Sequence, residues 1–399
     1  MAEIDGARLL RDLQTLRGIG TYETGVHRPT FSAEDVEARH WFAAQLAEAG
    51  LAVEIDGIGN VIGRDPAPGR KLLIGSHLET QDHAGWLDGA LGVAYGLEIA
   101  RSLGGGIDVA AWADEEGHFG SFLGSRSFCG LVTEAEIDRC RNRAGLSLRD
   151  ALQQAGFADR PRAMVDPARY RGYLEAHIEQ GAELEDKALK IGVVTAIVGS
   201  RRWRIVFEGE QNHAGTTRMA VRKDAGVALV RFAAAIEDRF PGTASERTVW
   251  TTGNIRLEPG APSIVPGRAE MVFQFRDTDP ATLDRLTEAL QGLAGEANQG
   301  PCRVTLVETG RTAPAAMDDG FQAALEAAAE RRAAGQHQRM PSGAGHDAQV
   351  LAGRMRAGML FVPSIGGISH HWAENTPDED IVLGCRVLAD AADALRVEA

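Results

Sequence analysis

Strand-like and helical patterns alternate through the early part of the chain, and no other feature restricts the fold as strongly. Apolar residues recur at helical spacing in three segments, and strand-like apolar runs lie between them. The helical segments are residues 7–17, 33–50 and 89–103, and the strand-like runs are residues 51–55, 72–74 and 107–112. Strands that alternate with helices predict an α/β domain with a mixed, largely parallel sheet.

A second pattern begins near residue 200. Its segments follow the order β-α-β-β-α-β, which is that of the ferredoxin-like split βαβ unit. They cover residues 202–208, 220–239, 248–257, 269–276, 280–297 and 302–308. Because helical and strand-like segments return afterwards, we expect one α/β domain, residues 1–199 and 315–399, with a smaller α+β domain, residues 200–314, inserted into it.

Composition excludes several classes of partner. The 399 residues contain 42 Lys and Arg against 56 Asp and Glu, so the net charge is −14. An acidic surface repels phosphate backbones, so we expect no nucleic-acid partner. No apolar run approaches the roughly 18 residues of a spanning helix, so we expect no membrane partner. Four scattered cysteines and no visible secretory signal favour a cytoplasmic protein.

Polar clusters follow apolar, strand-like segments at four places. The clusters are residues 75–80 (GSHLET) with 86–89 (WLDG), 112–117 (WADEEG), 175–181 (EAHIEQG) and 366–371 (GGISHH). Open α/β sheets bind ligands at the carboxyl ends of their strands, so these clusters are candidates for one site. The three successive carboxylates at residues 114–116 are costly unless cations neutralise them.

Histidines and carboxylates in this setting suit a divalent metal site. Imidazole and carboxylate groups match zinc, manganese, cobalt or nickel. More than one carboxylate allows an acid to bridge two metals about 3.5–4 Å apart. Adjacent Glu115 and Glu116 offer one general base and one ligand. Singly, each residue has another explanation, such as a hydrogen-bonded histidine, a turn at Asp88 or carboxylates at a helix start; the fourfold recurrence favours metal.

These motifs resemble those of the N-carbamoyl-L-amino-acid hydrolase, allantoate amidohydrolase and β-ureidopropionase family. Its members are binuclear metallohydrolases related to aminoacylases and zinc exopeptidases. The resembling motifs are residues 75–80, 87–92, 114–117, 177–181, 213–217 (HAGTT), 340–347 (MPSGAGHD) and 368–370. The resemblance implies a zinc-exopeptidase-like catalytic domain that binds the metals, and a lid and dimerisation domain at residues 200–314.

The resemblance also implies the ligands of two divalent metal ions. Asp88 would bridge the two ions. His77 and His177 would complete one site, and Glu116 and His370 would complete the other.

Catalytic and substrate-binding roles are implied in the same way. Glu115 would be the general base that activates a water. His213 would reach the site of a partner subunit and stabilise the oxyanion, which makes a homodimer the expected assembly. Arg276 would hold the substrate carboxylate with its guanidinium fork. The alternative for His213 is a plain turn histidine. The alternative for Arg276 is a salt bridge with Asp277 or Asp279.

Gly343 and Ala344 lie in a glycine-rich turn before a helix. Backbone N–H groups at such a turn suit an anionic group of the substrate. The alternative is a plain helix start with Asp347 as its cap.

The chain departs from the family pattern at several positions. Glu79 replaces an aspartate that orients the first metal histidine. The other departures are Ser200, Ser263, Arg218 and His371, and the segments that contain His83 and His118. Because the ligand set is intact while expected substrate contacts such as Ser263 and Arg218 are altered, we expect hydrolysis to be kept and the substrate to be unusual.

The expected function is therefore metal-dependent hydrolysis of a small, carboxylate-bearing amide. Metal-bound hydroxide would cleave the linear amide (ureido) C–N bond of an N-carbamoyl-L-amino acid or related ureido acid. An N-acyl amino acid deacylase or a dipeptidase is the alternative, since both need the same binuclear site. A catalytically inactive, ligand-binding protein is a more distant alternative. The presence of Glu115 together with all five ligands argues against it.

Overall fold

The computed structural model describes residues 2–397, and their contacts form two compact units. One unit, here called the discontinuous unit, runs to Thr195 and resumes at Ala316. The other, the inserted unit, is Ala196–Ala315. The boundaries expected from the sequence were 199/200 and 314/315.

Helices and strands alternate through most of the described chain. The helices are α1 (Gly6–Gly18), α2 (Ala33–Glu48), α3 (Ala90–Leu103), α4 (Leu123–Phe128), α5 (Glu134–Arg139), α6 (Leu148–Gln154), α7 (Glu183–Asp186), α8 (Ala225–Arg239), α9 (Pro280–Ala297), α10 (Asp319–Arg332), α11 (Asp347–Leu351) and α12 (Asp378–Arg396). The strands are β1 (Thr21–Tyr22), β2 (Gly25–Val26), β3 (Ala52–Ile55), β4 (Val61–Arg64), β5 (Lys71–His77), β6 (Ile107–Trp112), β7 (Tyr170–Ile178), β8 (Ile191–Ile197), β9 (Gly199–Glu208), β10 (Asn212–His213), β11 (Val249–Glu258), β12 (Ile264–Val265), β13 (Arg268–Asp277), β14 (Arg303–Thr312), β15 (Ala315–Ala316), β16 (His337–Ser342) and β17 (Ala357–Val362).

A mixed sheet of nine strands organises the discontinuous unit. Its order is β15-β8-β17-β7-β5-β6-β4-β3, and β16 pairs with β8. The four central strands β17, β7, β5 and β6 run parallel, whereas β8, β4 and β3 join antiparallel. The expected mixed α/β sheet is confirmed, with its parallel part confined to the centre.

Helices cover the sheet and explain why its central strands are apolar. Every residue of β5, β6 and β17 is buried, as parallel strands between helical layers require. Helix α3 is buried from Ala90 to Ala100. It approaches β7 closely at Gly92, where an added Cβ would lie 2.4 Å from the Ala176 carbonyl oxygen. This packing fixes the start of α3, where Asp88 lies, against the strand ends.

The inserted unit has a four-stranded antiparallel sheet of order β11-β13-β9-β14. Its elements follow the chain order β9-α8-β11-β13-α9-β14, which is the β-α-β-β-α-β order read from the sequence. Alternate residues of β9, including Trp203, Ile205 and Phe207, pack into one core with α8 and α9. Burial of every second residue shows that the helices cover one face of the sheet.

Two general expectations can be compared with the described residues. The four cysteines are free thiols, while a cytoplasmic location stays a prediction. No helix within residues 2–397 has both the length and the hydropathy needed to cross a membrane.

Candidate metal centre

All five ligands expected from the sequence lie together at the carboxyl ends of the parallel strands. They form two groups that share Asp88. The groups are His77, Asp88 and His177, and Asp88, Glu116 and His370, and in each group the possible ligand atoms lie within 4.8 Å of one another.

The sheet order explains how residues distant in sequence meet here. His77 ends β5, and His177 lies near the end of the adjacent parallel strand β7. Glu116 follows β6, and Asp88 lies in the turn before α3. Gly89 has a φ of 68°, and a Cβ there would lie 2.4 Å from the His77 ring. Glycine is therefore required beside Asp88.

Asp88 faces all three histidines. Its Oδ1 lies 3.3 Å from Nε2 of His77 and 3.1 Å from Nε2 of His177. Its Oδ2 lies 3.4 Å from Nε2 of His370, which lies 3.6 Å from Oε2 of Glu116. One oxygen therefore serves each group, as in a bridging carboxylate.

The protons on the histidines fit a bound cation. Nδ1 of His77 lies 3.0 Å from the Glu79 carbonyl oxygen, and Nδ1 of His177 lies 3.0 Å from the Ile178 carbonyl oxygen. Each Nδ1–H donates to its carbonyl, so a neutral ring would turn the lone pair of Nε2 toward the carboxylate of Asp88. A metal ion between these two acceptors would satisfy both. Oε1 of Glu116 is also buried and has no hydrogen-bond partner in the described chain.

Glu115 lies beside the two groups. Its Oε2 is 3.8 Å from Nε2 of His77, and the residue is 9% exposed. Burial, with the charges of Glu116 and Asp347, raises the pKa of Glu115 well above its usual range, although His77 opposes the shift. A raised pKa makes the carboxylate a stronger base, which suits a residue that accepts a proton and later returns it.

The departure at Glu79 has a specific geometry. Its Oε1 accepts a hydrogen bond from the backbone nitrogen of Glu115 at 2.6 Å, and its Oε2 accepts one from Arg39 at 2.6 Å. The carboxylate remains 3.9 Å from Nδ1 of His77. The buried Arg39 also donates to Asp35. Glu79 therefore supports the backbone of Glu115 instead of clamping the His77 ring.

Three residues to which the sequence assigned no role support Asp88. Oε1 of the buried Glu374 accepts from the backbone nitrogens of Leu87 and Asp88, both at 3.1 Å. Nε2 of Gln180 donates to Oδ2 of Asp88 at 2.9 Å. Ser369 lies 3.2 Å from the same oxygen and 3.3 Å from Glu374. Glu374 and Ser369 lie close to His370 in the sequence, and Gln180 lies close to His177. This closeness was the sign in the sequence that they could belong to the site.

The inserted unit holds His213, Arg218, Ser263 and Arg276, and His213 and Ser263 lie at a small two-stranded sheet of β10 and β12. His213 in β10 pairs with Ile264 in β12, so Ser263 lies next to it, and the Ala214 nitrogen donates to the Ser263 carbonyl. Nδ1 of His213 accepts from the backbone nitrogens of Gly215 and Thr216 at 3.0 and 3.1 Å. The neutral ring therefore carries its proton on Nε2.

The structure also shows the exposure or the partners of other expected residues in the inserted unit. Arg218 is exposed and starts a 3-10 turn, Met219–Val221. The carboxylate of Asp277 accepts from Ser245 and Thr248, and that of Asp279 caps α9. Burial lowers the pKa of Arg276, and neighbouring Arg202 adds to the effect.

The glycine-rich turn before α11 differs from the expected cap. His346, not Asp347, is the capping residue, and it makes no side-chain cap. The Asp347 carboxylate instead accepts from Ser125 at 2.5 Å. The backbone nitrogen of Ala344 donates to Ser342 at 3.1 Å. The predicted substrate contacts at Gly343 and Ala344 stay predictions.

Comparisons with known proteins identify the family of the chain. The family model "Peptidase family M20/M25/M40" matches residues 80–394. An N-carbamoyl-L-amino acid amidohydrolase of Geobacillus stearothermophilus is 35% identical, over 96% of this chain and 97% of that protein. An allantoate amidohydrolase of Escherichia coli is 33% identical, over 92% of each chain. The crystal structure of an amidase of the hydantoinase/carbamoylase family from Burkholderia phymatum is 50% identical, with a TM-score of 0.91 over 99% of both chains.

The family indicated by the motifs is thus confirmed by independent matches of sequence and fold. Both cover nearly the whole chain, including the inserted unit. The chain belongs to peptidase family M20/M25/M40, within its group of N-carbamoyl-L-amino-acid and allantoate amidohydrolases, which are metal-dependent hydrolases of amide bonds.

Proposed function

We propose that this protein hydrolyses the ureido C–N bond of an N-carbamoyl-L-amino acid or a related ureido acid. The observation that carries the proposal is the shared Asp88, with a histidine pair on one side, Glu116 and His370 on the other, and Glu115 beside them. The activities named for the Geobacillus and Escherichia relatives support a substrate of this class.

The five ligands fit two divalent ions. Asp88 would be shared, with His77 and His177 holding one ion and Glu116 and His370 the other. Zinc, manganese, cobalt and nickel all accept this mixture of imidazole and carboxylate donors. Bound metals at such a site polarise a substrate carbonyl and lower the pKa of water.

Glu115 moves the proton in this proposal. Its carboxylate takes a proton from the attacking water and later delivers that proton to the leaving nitrogen. The burial that raises the pKa of Glu115 makes the protonated form stable enough for the second step. The hydrogen bond from the Glu115 backbone to Glu79 fixes the main chain that carries this base.

His213 supplies a hydrogen-bond donor to the developing oxyanion. The two backbone N–H groups that bind its Nδ1 leave Nε2–H free to donate. Arg276 holds the substrate carboxylate, and Ser263 and Arg218 contact the substrate near His213. With His213 at the site of a partner subunit, the inserted unit would be both a lid and a dimerisation domain.

We further propose a homodimer formed through β11. This strand lies at one end of its sheet and exposes Val249, Ile255 and Leu257, which are 56%, 53% and 40% exposed. An apolar edge strand pairs readily with a second copy. The variants Ile255→Lys and Leu257→Lys are expected to be monomeric by light scattering, whereas Met164→Lys, at another exposed apolar residue, stays dimeric.

One assay with two readouts tests the function. Protein stripped of metal and reloaded with manganese or zinc is given N-carbamoyl, N-formyl and N-acyl amino acids, ureidoacetate, diureidoacetate and dipeptides, and ammonia and free amine are both measured. Ammonia released from ureido acids only after reloading is the expected result. Free amine from N-acyl substrates without ammonia from ureido acids would instead establish the deacylase or dipeptidase alternative.

A further inference from the structure

An extended segment near the N-terminus, residues 24–30, runs along several of the loops that carry the candidate metal centre. It contains β2 and ends before α2, and it is here called the N-terminal strap. Val26, Arg28 and Thr30 are buried, and the two residues between them are half-buried. This alternation is that of an extended chain with one face against the protein. Each even-numbered residue of the strap makes a hydrogen bond to a segment of the site.

The last residue of the strap binds the segment that carries Glu116. The hydroxyl of Thr30 donates to Oδ1 of Asp114 at 2.7 Å, two residues before Glu116. The same carboxylate accepts from the backbone nitrogens of residues 118–120 at 2.8–2.9 Å. Asp114 therefore shapes the backbone on both sides of Glu116, and Thr30 fixes Asp114 from outside this loop.

The first residue of the strap binds the loop that carries His370. The hydroxyl of Thr24 donates to the Trp372 carbonyl oxygen at 2.6 Å. The contact is close, because a Cβ added to Gly25 would lie 2.7 Å from Cα of Trp372 and 2.1 Å from the Ala84 carbonyl oxygen. His370 has a φ of 54°, a conformation that a residue with a side chain keeps only where its surroundings fix it.

The middle of the strap binds the loop that joins the first ligand histidine to the shared aspartate. Val26 and Ala84 exchange two backbone hydrogen bonds, both of 2.9 Å. The backbone nitrogen of Arg28 donates to Oγ1 of Thr80 at 3.0 Å, and its guanidinium Nε donates to the Leu78 carbonyl oxygen at 2.8 Å. The strap therefore joins three loops of the centre through one continuous piece of backbone.

The two groups of ligands differ in how their backbone is held. His77 and His177 lie within strands, where His77 pairs with β6 and His177 pairs with β17. Glu116 and His370 lie outside helices and strands, so no sheet ladder holds them. The group formed by Asp88, Glu116 and His370 therefore depends more on hydrogen bonds from other segments, and the strap supplies them to both Glu116 and His370.

We propose that the N-terminal strap positions the ligands of the ion held by Asp88, Glu116 and His370, with Thr24 and Thr30 as its positioning residues. The ion held by His77, Asp88 and His177 keeps its site without them. The inference rests on the two-ion centre of the proposed function, and it deepens that proposal by assigning the retention of one ion to a segment that provides no ligand.

A double variant tests the strap. Thr24→Val with Thr30→Val removes both hydroxyl groups and keeps the branched shape of the side chains. We expect one of the two cobalt ions to bind at least about tenfold more weakly in competition with a chelator, as for other residues that hold metal ligands in place, and the other to change by about twofold or less. Thr24→Ser with Thr30→Ser keeps both hydroxyl groups and should restore wild-type retention. Gly25→Ala, which forces two loops away from the strap, should weaken the same ion.

A matched control separates positioning from loss of stability. Thr15 in α1 is exposed and Thr287 in α9 is buried, and each donates its hydroxyl to a carbonyl oxygen of its own helix. Thr15→Val with Thr287→Val therefore removes one exposed and one buried threonine donor away from the strap. We expect this protein to retain both ions as the wild type does, and urea unfolding of the metal-free proteins compares the stability of the two double variants.

Reference variants identify the ion that is lost. His370→Ala and His177→Ala each remove one ligand from one group, and the visible absorption of cobalt in each gives the spectrum of the group that remains. After partial removal of metal, the strap variant is expected to give the spectrum of His370→Ala. A change that only destabilised the fold would not select one ion.

Three outcomes overturn the inference. Two of them are wild-type retention of both ions in the double strap variant and parallel loss of both ions; each leaves the proposed function standing, because ammonia release from ureido acids is measured separately. The third is a spectrum that matches His177→Ala, which would assign the strap to the other ion. A wild-type protein that binds fewer than two ions contradicts the proposed centre itself, and the inference with it.

Discussion

Oε1 of Glu79 lies 2.6 Å from the backbone nitrogen of Glu115 and 3.9 Å from Nδ1 of His77. The acid two residues after the first histidine therefore holds the proposed base, while the His77 ring is held by the carbonyl oxygen of Glu79 itself. Arg39 fixes the other carboxylate oxygen from a fully buried position. Glu79 thus supports the backbone of the proposed base rather than the His77 ring.

The variant Glu79→Asp tests this relationship. The shorter side chain is expected to lose contact with the Glu115 nitrogen or with Arg39, and kcat/KM should fall by about 10- to 100-fold, as for other residues that orient a metal site. Glu79→Gln keeps the length but removes the charge opposite Arg39, so it should destabilise the fold by about 3 kcal/mol in urea unfolding and lose less activity per folded molecule. Full activity in Glu79→Asp would contradict the assignment.

Glu374 offers a second prediction, about metal retention. Its carboxylate receives the backbone N–H groups of Leu87 and Asp88, and a Cβ at Gly85 would lie 1.9 Å from it. We expect Glu374→Gln and Gly85→Ala to weaken metal binding by about tenfold or more, because both disturb the turn that carries Asp88. Competition with a chelator measures this directly. Glu379→Gln, at an exposed position on α12, is the control, and equal affinity in all variants would refute the role.

Replacement of His213 is expected to reduce the turnover number rather than the affinity for substrate. An oxyanion donor acts in the transition state, so His213→Ala should reduce kcat by about 10²- to 10³-fold with little change in KM. Arg222 donates to the carbonyl oxygens of Thr217 and Ala214 and so holds the same turn. Arg222→Gln should therefore give a smaller loss of kcat. A change confined to KM in His213→Ala would point to a binding role.

Asp56 is expected to make a pH-dependent contribution to the free energy of unfolding. Burial raises the pKa of Asp56 to about 6, although backbone hydrogen bonds from Ala163, Ile58 and Asn60 oppose the shift. Because the pKa in the folded state lies above that of the unfolded chain, this group stabilises the fold below about pH 4, and the contribution is lost as the pH rises through 6.

The expected size of the Asp56 effect is about 1 kcal/mol between pH 5 and pH 7.5. Urea unfolding of the wild type and of Asp56→Asn at both pH values measures it. The difference in unfolding free energy between the two proteins should shrink by that amount at the higher pH, and a constant difference would contradict the prediction.

The sequence predicts that the five proposed ligands lie together because the fold repeats one local arrangement. An apolar strand, then a polar residue at its carboxyl end, is visible at His77, Glu116 and His370, and the parallel centre of the sheet brings these ends together. No bounds were predicted for the strand that carries His177. Its apolar pattern is interrupted by Glu175 and His177, two polar residues that face the site region.

The supporting residues were harder to find for a different reason. Glu374 and Gln180 act through backbone and side-chain hydrogen bonds to Asp88 from segments remote in sequence. Neither contributes to a periodic pattern, so only the folded chain shows their partners. The short helices α4, α5 and α6 were missed because segments of six or seven residues carry too little periodicity.

We propose that Glu115 drives hydrolysis of a ureido bond at a metal centre. The most direct measurement is ammonia release from a ureido acid by wild-type protein and by Glu115→Gln, with the bound metal of both quantified in the same samples. We expect ammonia and free amino acid in equal amounts from the wild type acting on an N-carbamoyl amino acid, and a rate lower by about 10²- to 10⁴-fold in a variant with the same metal content. Comparable rates in the two metal-matched proteins, or cleavage by the wild type without ammonia, would contradict it.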